Sequence, residues 1–321
     1  MSITPRNWMP LIGSPQERAI RLIHEKFDGE EVPFNLCLTI NFHPDRTTPN
    51  GLPILEAIRR DGHVKSQFES GMSNGSLSAY EGGARWEWEQ KAFFGIYDGC
   101  EAFERPKYGA LDRRMTGGGG SPRFGSSYFR LKSHVLERAT FCYPDSFFEP
   151  EDFCVVKKLS RLVWLVDSDD PDLLDDYIEA HIHGPIDVER DVDALVLDPV
   201  YKGTSVEDLA DGLPCDVEWH AGFVTTVDVI ECHPDYRGLE IVRIAKSLSN
   251  DGRLDPFILG QAVKSGAYEP QAVKKVWHYL ARFGDKNKQA EQAGAGQSAT
   301  RSASKSEGGE KPQPEAEGRS R

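Results

Sequence analysis

Apolar residues recur along the chain at two spacings, which predict where helices and strands lie. Residues 34–42, FNLCLTINF, form an almost continuous apolar and β-branched run. Such a run predicts a strand that is buried on both faces. Other stretches place apolar residues on one face at helical spacing. One of them, which starts at residue 52, stops at Asp61-Gly62. Helices are therefore predicted over residues 15–27, 52–60, 85–94 and 271–282.

The last third of the chain carries short apolar runs between turns rich in Asp and Pro, which we interpret as strands over residues 162–166, 177–183 and 194–197. From residue 285 the sequence loses aromatic and large aliphatic residues. Such a segment cannot bury enough surface to offset the entropy of ordering, so a disordered tail is predicted. The expected organisation is a helical segment (1–33), an α+β catalytic domain (34–284) and the tail (285–321).

Composition limits the partners that the protein can have. A net charge of −13 and a pI near 5.2 argue against nucleic acid or an anionic membrane, because phosphate binding needs clustered cations. Residues 1–10 hold no apolar leader, and no apolar run is long enough to span a membrane. We therefore expect a soluble monomer, either cytoplasmic or delivered into another cell's cytosol. Six scattered cysteines predict free thiols: Cys37, Cys100, Cys142, Cys154, Cys215 and Cys232.

Polar and charged side chains follow the first predicted strand. The sequence there reads Asn41, Phe42, His43, Pro44, Asp45 and Arg46. Catalytic groups often lie at the end of a buried strand, because the strand fixes them while the loop exposes them. The alternative is that His43 and Asp45 only cap a turn before Pro49.

Four consecutive glycines lead into a second candidate segment, PRFGSSYF at residues 122–129. A Gly-rich backbone allows a ligand to approach closely, and the hydroxyls of Ser126 and Ser127 can bind an amide or a phosphate. Tyr128 can stack on a flat ring. Alternatively, a tyrosine in such an aromatic-rich strand belongs to the core.

A third segment, YIEAHIHG at residues 177–184, places Glu179, His181 and His183 on one face of a strand. A carboxylate held on a strand can stabilise the positive charge that develops in glycosyl transfer. The alternative is the solvent-facing side of an edge strand. Glu218, in VEWHAG, is a rival acid, although Trp219 beside it is typical of a core residue.

Two histidines at positions i and i+2 also permit a metal-dependent hydrolase. Its ligands would come from His43, Asp45, His181, His183 and His220. No HExxH, GxGxxG or P-loop sequence occurs, so the usual zinc and nucleotide motifs give no support. A binding domain without catalytic activity is the third hypothesis.

Taken in order, these segments carry a family resemblance. It rests on TINFHPDR, SQFESGMSNG, RPKYGAL, PRFGSSYFRL, YIEAHIHGP, VEWHAGF and VWHYLARFG, and it covers most of residues 34–283. The chain resembles a bacterial and fungal family of unknown function that looks like a divergent branch of the ADP-ribosyltransferases. It is also similar to effectors that ADP-ribosylate ubiquitin on threonine. The resemblance implies an ADP-ribosyltransferase-like split antiparallel β-sandwich with flanking helices.

The resemblance further implies that NAD is bound, that ADP-ribose passes to a protein hydroxyl, ubiquitin included, and that nicotinamide is released. His43 would contact the adenosine ribose or its phosphates, and Tyr128 would stack on nicotinamide. Glu179 would hold the nicotinamide ribose and support the cationic transition state, with Glu218 as its rival. Further ligand contacts are predicted at Arg46, Gln67, Ser70, Asn74, Arg123, Gly125, Ser126, Ser127 and His183.

Overall fold

A computed structural model describes residues 13–33, 35–71 and 77–287. The helices in these ranges are α1 (Pro15–Lys26), α2 (Ile54–Asp61), α3 (Gln67–Ser70), α4 (Ala84–Ala92), α5 (Ser160–Ser168), α6 (Val188–Asp191), α7 (Ser205–Ala210), α8 (Val227–Glu231), α9 (Leu239–Leu248), α10 (Pro256–Ser265) and α11 (Pro270–Phe283). The strands are β1 (Leu38–Phe42), β2 (His63–Val64), β3 (Lys107–Leu111), β4 (Ser127–Leu131), β5 (Ala139–Tyr143), β6 (Asp152–Val155), β7 (Ile178–Ile182), β8 (Ile186–Asp187), β9 (Val192–Leu197), β10 (Asp216–Trp219), β11 (Thr225–Thr226) and β12 (Arg253–Leu254).

Eight of these strands form one sheet in the order β10-β9-β4-β1-β3-β7-β5-β6. All neighbours in it are antiparallel except β9 and β10, which are parallel. Helices flank this sheet, so the predicted α+β class is confirmed. The ADP-ribosyltransferase-like form of the sandwich stays a prediction.

Strands β1 and β3, in the middle of the sheet, share fewer paired residues than any other neighbours in it. Strand β1 pairs with β3 only through Leu38 with Leu111 and Thr39 with Ala110, whereas β1 and β4 pair along their whole length. Beyond Thr39 the two strands part, and no register pair joins the rest of β1 to the rest of β3. Where two strands separate, their backbone N–H and C=O groups lose each other as partners and can bind other groups. A ligand cleft can therefore form at this gap.

Most predicted elements are present, and local signals explain their ends. Helix α1 begins after Ser14, whose hydroxyl accepts from the Glu17 backbone while the Glu17 carboxylate accepts from the Ser14 backbone. Helix α2 ends at Gly62, which has a φ of 72°, a left-handed conformation that glycine adopts without strain. The predicted first strand is shorter than expected and starts at Leu38, and Phe34 lies outside the described residues.

The strand predicted over residues 162–166 is wrong, because this segment belongs to helix α5. Leu162 and Val166, four residues apart, are buried together, while Trp164 between them is 65% exposed. That pattern has the period of a helix rather than of a strand.

The core occupies both faces of the sheet. Ile178, Ala180 and Ile182 of β7 belong to a hydrophobic cluster that the sheet shares with α2, α5 and α7. On the opposite face, α1 and α4 pack against β5 and β6 through a second cluster centred on Trp88 and Phe93. Strand β7 lies between β3 and β5 and is buried along its length, which excludes the edge-strand alternative.

Helices α8 to α11 enclose a third cluster around Val276 and Trp277. The described chain continues three residues into the predicted tail, where Asn287 accepts a hydrogen bond from the Ala221 backbone. The rest of that predicted tail lies outside the described residues. In the described ranges, no helix has both the length and the apolar character needed to cross a bilayer.

Asp191 is a buried carboxylate that ties several segments together and makes the fold sensitive to acid. It accepts hydrogen bonds from Arg190, His134 and Arg138. Burial acts to raise its pKa, but these partners hold the pKa well below its usual range. The resulting stabilisation is present above about pH 4 and is lost as the pH falls from there towards the folded-state pKa. We expect Asp191→Asn to flatten this acid dependence in urea unfolding between pH 2 and pH 5. An unchanged slope would contradict the assignment.

Candidate ligand cleft

A cavity of about 490 Å³ opens where β1 and β3 part. Ile40 and Phe42 of β1 line it on one side, and Lys107 and Gly109 of β3 line it on the other. Helix α11 contributes Trp277, whose indole nitrogen donates to the carbonyls of Pro122 and Arg123. We call this cavity the cleft. Its volume falls within the range of about 300–1,000 Å³ that is usual for small-molecule sites.

Glu179 of β7 is 5% exposed and lines the cleft. Its Oε2 accepts from the Ser146 hydroxyl at 3.0 Å, and its Oε1 accepts from His181 Nε2 at 3.2 Å. Burial acts to raise the pKa of Glu179, but the His181 hydrogen bond and the Arg85 guanidinium outweigh it, so the pKa is lowered. The carboxylate is therefore ionised at neutral pH and can stabilise positive charge on a ligand.

Arg85 of α4 stands beside this carboxylate. It donates to the Ser146 hydroxyl at 2.7 Å, and its guanidinium lies over the Tyr108 ring at 4.0 Å from the centroid. The Tyr108 hydroxyl in turn donates to Glu89 at 2.7 Å. Stacking and hydrogen bonding together fix the guanidinium, so Glu179 and Arg85 form a rigid polar wall of the cleft.

His43 lies just after β1 with its ring edge-on to Trp277, 4.9 Å between centroids. Burial lowers the pKa of His43 well below its usual range, and Arg46, His278 and Lys274 lower it further. The imidazole is therefore neutral and adds no charge to the cleft.

The cleft is cationic although the protein is acidic. Two carboxylates, Asp145 and Glu179, line it. They face six cations, Arg46, Lys65, Arg85, Lys107, Arg123 and Lys274. Such a concentration of positive charge in a chain of net charge −13 favours an anionic ligand.

Three of these cations, together with His43, form what we call the anion subsite: Arg46, Arg123 and Lys274. Arg123 forms an ion pair with Asp175. Across the described ranges, neither Arg46 nor Lys274 has a carboxylate within ion-pair distance. Burial lowers the pKa of Lys274, and Arg123 adds to that effect. An anion bound here would relieve the repulsion among these side chains.

Two buried polar atoms in the cleft wall also lack partners within the described part of the chain: Gln67 Oε1 and Arg85 Nε. An unsatisfied buried polar atom costs about 1–3 kcal/mol, so such atoms favour a ligand that hydrogen-bonds them. Gln67 and Ser70, both predicted from the sequence, line this part of the cleft. The predicted contact Asn74 lies outside the described residues.

Tyr128 does not line the cleft. Tyr128 pairs with Asn41 of β1 and lies on the sheet face opposite Phe129, at the Gly-rich loop that precedes β4. There its hydroxyl donates to the Gly117 carbonyl at 3.3 Å, and its ring stacks near His220. The structure thus places the predicted stacking residue in the packing of the Gly-rich loop.

The neighbours of Tyr128 also have structural surroundings. A Cβ at Gly125 would overlap the backbone of Phe42, so glycine lets this turn pack against β1. The Ser126 carbonyl accepts from His220, and the Ser127 hydroxyl accepts from the Asp198 backbone. Gly125, Ser126 and Ser127 do not line the cleft.

Glu218 also lies elsewhere. It sits on β10, at one edge of the sheet, and both of its carboxylate oxygens accept from Arg130. That ion pair lowers the pKa of Glu218, and the side chain remains 47% exposed. Of the two rival acids, the structure brings only Glu179 to the cleft.

The metal ligands predicted for a hydrolase do not converge. His43 lines the cleft, whereas Asp45, His181, His183 and His220 do not. Within the described ranges, the group with ligand atoms close enough to share an ion is Cys142, Glu179 and His181. Burial raises the pKa of the Cys142 thiol well above its usual range, which keeps it protonated and a poor ligand.

Several cleft residues were not singled out from the sequence. Arg85 and Lys274 lie on helices and Tyr108 lies on β3. A cation on an amphipathic helix has the same pattern as a solvated surface residue, so spacing alone gave no signal for them. Only the string RPKYGAL, quoted for the family resemblance, contained Tyr108.

The fold and the cleft define an α+β protein in which the parted centre of an antiparallel sheet holds a cationic, ligand-sized site. The chain belongs to the family described as "Protein of unknown function (DUF3626)", which matches residues 37–164 and 153–284. The predicted membership of an uncharacterised family is confirmed. Among proteins with curated descriptions, none matches the chain.

Proposed function

We propose that the protein is a mono-ADP-ribosyltransferase that transfers ADP-ribose from NAD to a protein hydroxyl and releases nicotinamide. One observation carries the proposal: a single cleft combines the buried, ionised Glu179 with cations that have no carboxylate partner. NAD suits both features, because its diphosphate is anionic and its nicotinamide ribose gains positive charge as the bond to nicotinamide breaks.

Other features of the cleft fit the same ligand. Gln67 Oε1 and Arg85 Nε offer unused hydrogen-bonding capacity to hydroxyl or amide groups. Phe147 lines the cleft and is 56% exposed, so its ring can stack on nicotinamide or adenine, the task first predicted for Tyr128. The family resemblance carried by the sequence strings supports the same assignment.

Bound NAD would supply an electrophilic ribose carbon and nicotinamide as a neutral leaving group. Arg46, Arg123 and Lys274 would hold the diphosphate. Glu179 would accept a hydrogen bond from a ribose hydroxyl and stabilise the developing positive charge. As the carbon–nitrogen bond breaks, its electron pair stays on nicotinamide. The acceptor oxygen then bonds to carbon, and its proton passes to the Glu179 carboxylate and on to solvent.

Incubation with labelled NAD tests the function. We expect nicotinamide release and transfer of labelled ADP-ribose to protein, unaffected by a chelator, with ubiquitin tested as one acceptor. Chelator-sensitive hydrolysis that is indifferent to NAD would instead support the metal-dependent hydrolase. If the protein shows neither activity, the result would support a binding domain.

A further inference from the structure

A chain of buried polar side chains runs inward from Glu179, and the proposed chemistry does not yet use it. His181 Nδ1 lies 3.2 Å from the Thr140 hydroxyl, and His183 Nε2 lies 2.9 Å from the same hydroxyl. The Tyr97 hydroxyl lies 2.7 Å from His183 Nδ1. We call this chain the histidine relay: Glu179, His181, Thr140, His183 and Tyr97.

The relay is sealed from solvent. Each member is at most 5% exposed, and only Glu179 lines the cleft. Trp88 and Phe93 pack against the His181 ring, and Phe93 and Tyr97 pack against the His183 ring. The relay can therefore contact a ligand only through the Glu179 carboxylate.

One arrangement of hydrogens satisfies every link. A carboxylate only accepts, so His181 Nε2 carries the hydrogen that is donated to Glu179. The other nitrogen of a neutral His181 then accepts from the Thr140 hydroxyl, which in turn accepts from His183 Nε2. His183 Nδ1 finally accepts from Tyr97. Burial lowers the pKa of both histidines, in keeping with neutral rings.

We propose that His181 is a positioning residue for Glu179, and that Thr140, His183 and Tyr97 hold His181 in the tautomer that donates to the carboxylate. The inference rests on the proposed function, since it assumes that Glu179 acts on the ligand. The relay keeps the carboxylate charged and aimed at the cleft.

The surroundings of Glu179 make this donor necessary. The other titratable and charged groups near it are Arg85 from α4, Tyr108 from β3, Cys142 from β5, Asp145 after β5 and Tyr177 before β7. Arg85 is the cation among them, whereas Asp145 repels a second negative charge. Loss of the His181 donor therefore leaves Arg85 and the Ser146 hydrogen bond to oppose burial and Asp145, so the Glu179 pKa rises.

Ring-nitrogen NMR of histidine-labelled protein tests the relay without turnover. We expect His181 and His183 as neutral Nε2–H tautomers that do not titrate between pH 5.5 and pH 8. Either ring as the Nδ1–H tautomer, or titrating near pH 6.5, would overturn the arrangement. The chemical shift of the Glu179 carboxyl carbon gives its pKa in the same protein.

Three variants test the positioning role. Thr140→Val keeps the side-chain shape and lies away from the cleft, while His181→Leu removes the donor and His181→Gln keeps an N–H. We expect the Glu179 pKa to rise by about one pH unit in His181→Leu and less in His181→Gln. We expect kcat for nicotinamide release to fall about tenfold in Thr140→Val, with KM nearly unchanged.

Thr140→Val also reports on the relay if His181→Leu fails to fold. If folded Thr140→Val keeps both the wild-type Glu179 pKa and the wild-type His181 tautomer, the proposal is overturned. If wild-type protein releases no nicotinamide, the proposed function fails, while the NMR readouts still decide whether the relay positions Glu179.

Discussion

Glu179→Gln is expected to lower nicotinamide release from NAD by about 1,000-fold while the protein stays folded. Glutamine has almost the same shape as glutamate but carries no charge, so the buried negative charge that stabilises a cationic transition state is lost. In the variant, His181 can still donate to the amide oxygen, and the Ser146 hydroxyl can accept from the amide NH2 group. The rate is measured by chromatography of released nicotinamide, and folding is measured by circular dichroism.

Glu218→Gln is the matched control, because Glu218 pairs with Arg130 at the sheet edge, outside the cleft. We expect its activity to stay within about twofold of wild type, since exposed ion pairs contribute at most about 1 kcal/mol. The reverse outcome, with loss in Glu218→Gln and activity retained in Glu179→Gln, would move the acid to β10.

Combined replacement of Arg46 and Lys274 by alanine is expected to weaken binding of ADP-ribose by about 100-fold or more. Hydrogen bonds to charged groups contribute about 1.5–3 kcal/mol each, and about 1.4 kcal/mol corresponds to tenfold in affinity. Neither cation forms an ion pair in the described structure, so their removal breaks no salt bridge. Calorimetric titration measures the affinity directly.

Lys275→Ala is the control for this pair, since Lys275 follows Lys274 on α11 but is exposed and does not line the cleft. We expect unchanged affinity in this variant. Salt should weaken ADP-ribose binding more in wild type than in the double variant, because wild type keeps the two cations whose attraction salt screens. Equal affinity in wild type and double variant would remove the anion subsite from the account.

The elements with strong periodic patterns could be predicted from the sequence. Helix α11 repeats apolar residues on one face, and β7 alternates Ile178, Ala180 and Ile182 with polar residues, so both were located within a few residues. Helix α5 was predicted as a strand because the short apolar run at residues 162–166 is compatible with a helix as well as with a strand. Long-range pairing, which parts β1 from β3, leaves no local pattern to detect.

The site was predictable where a residue follows a buried strand or lies on one. His43, Arg46 and Glu179 met that criterion, and all three line the cleft. Tyr128 met it too, yet its side chain packs against Gly117 and His220 outside the cleft, and no local pattern in the sequence reveals that packing. Lys274 reaches the cleft through the packing of α11, which depends on tertiary contacts.

A crystal structure of the Glu179→Gln variant soaked with NAD tests whether Glu179 and the anion subsite hold one NAD molecule, because the variant should bind NAD without consuming it. We predict the nicotinamide ribose against residue 179 and the diphosphate between Arg46 and Lys274. NAD bound elsewhere, or a cleft that stays empty at saturating NAD, would contradict the account.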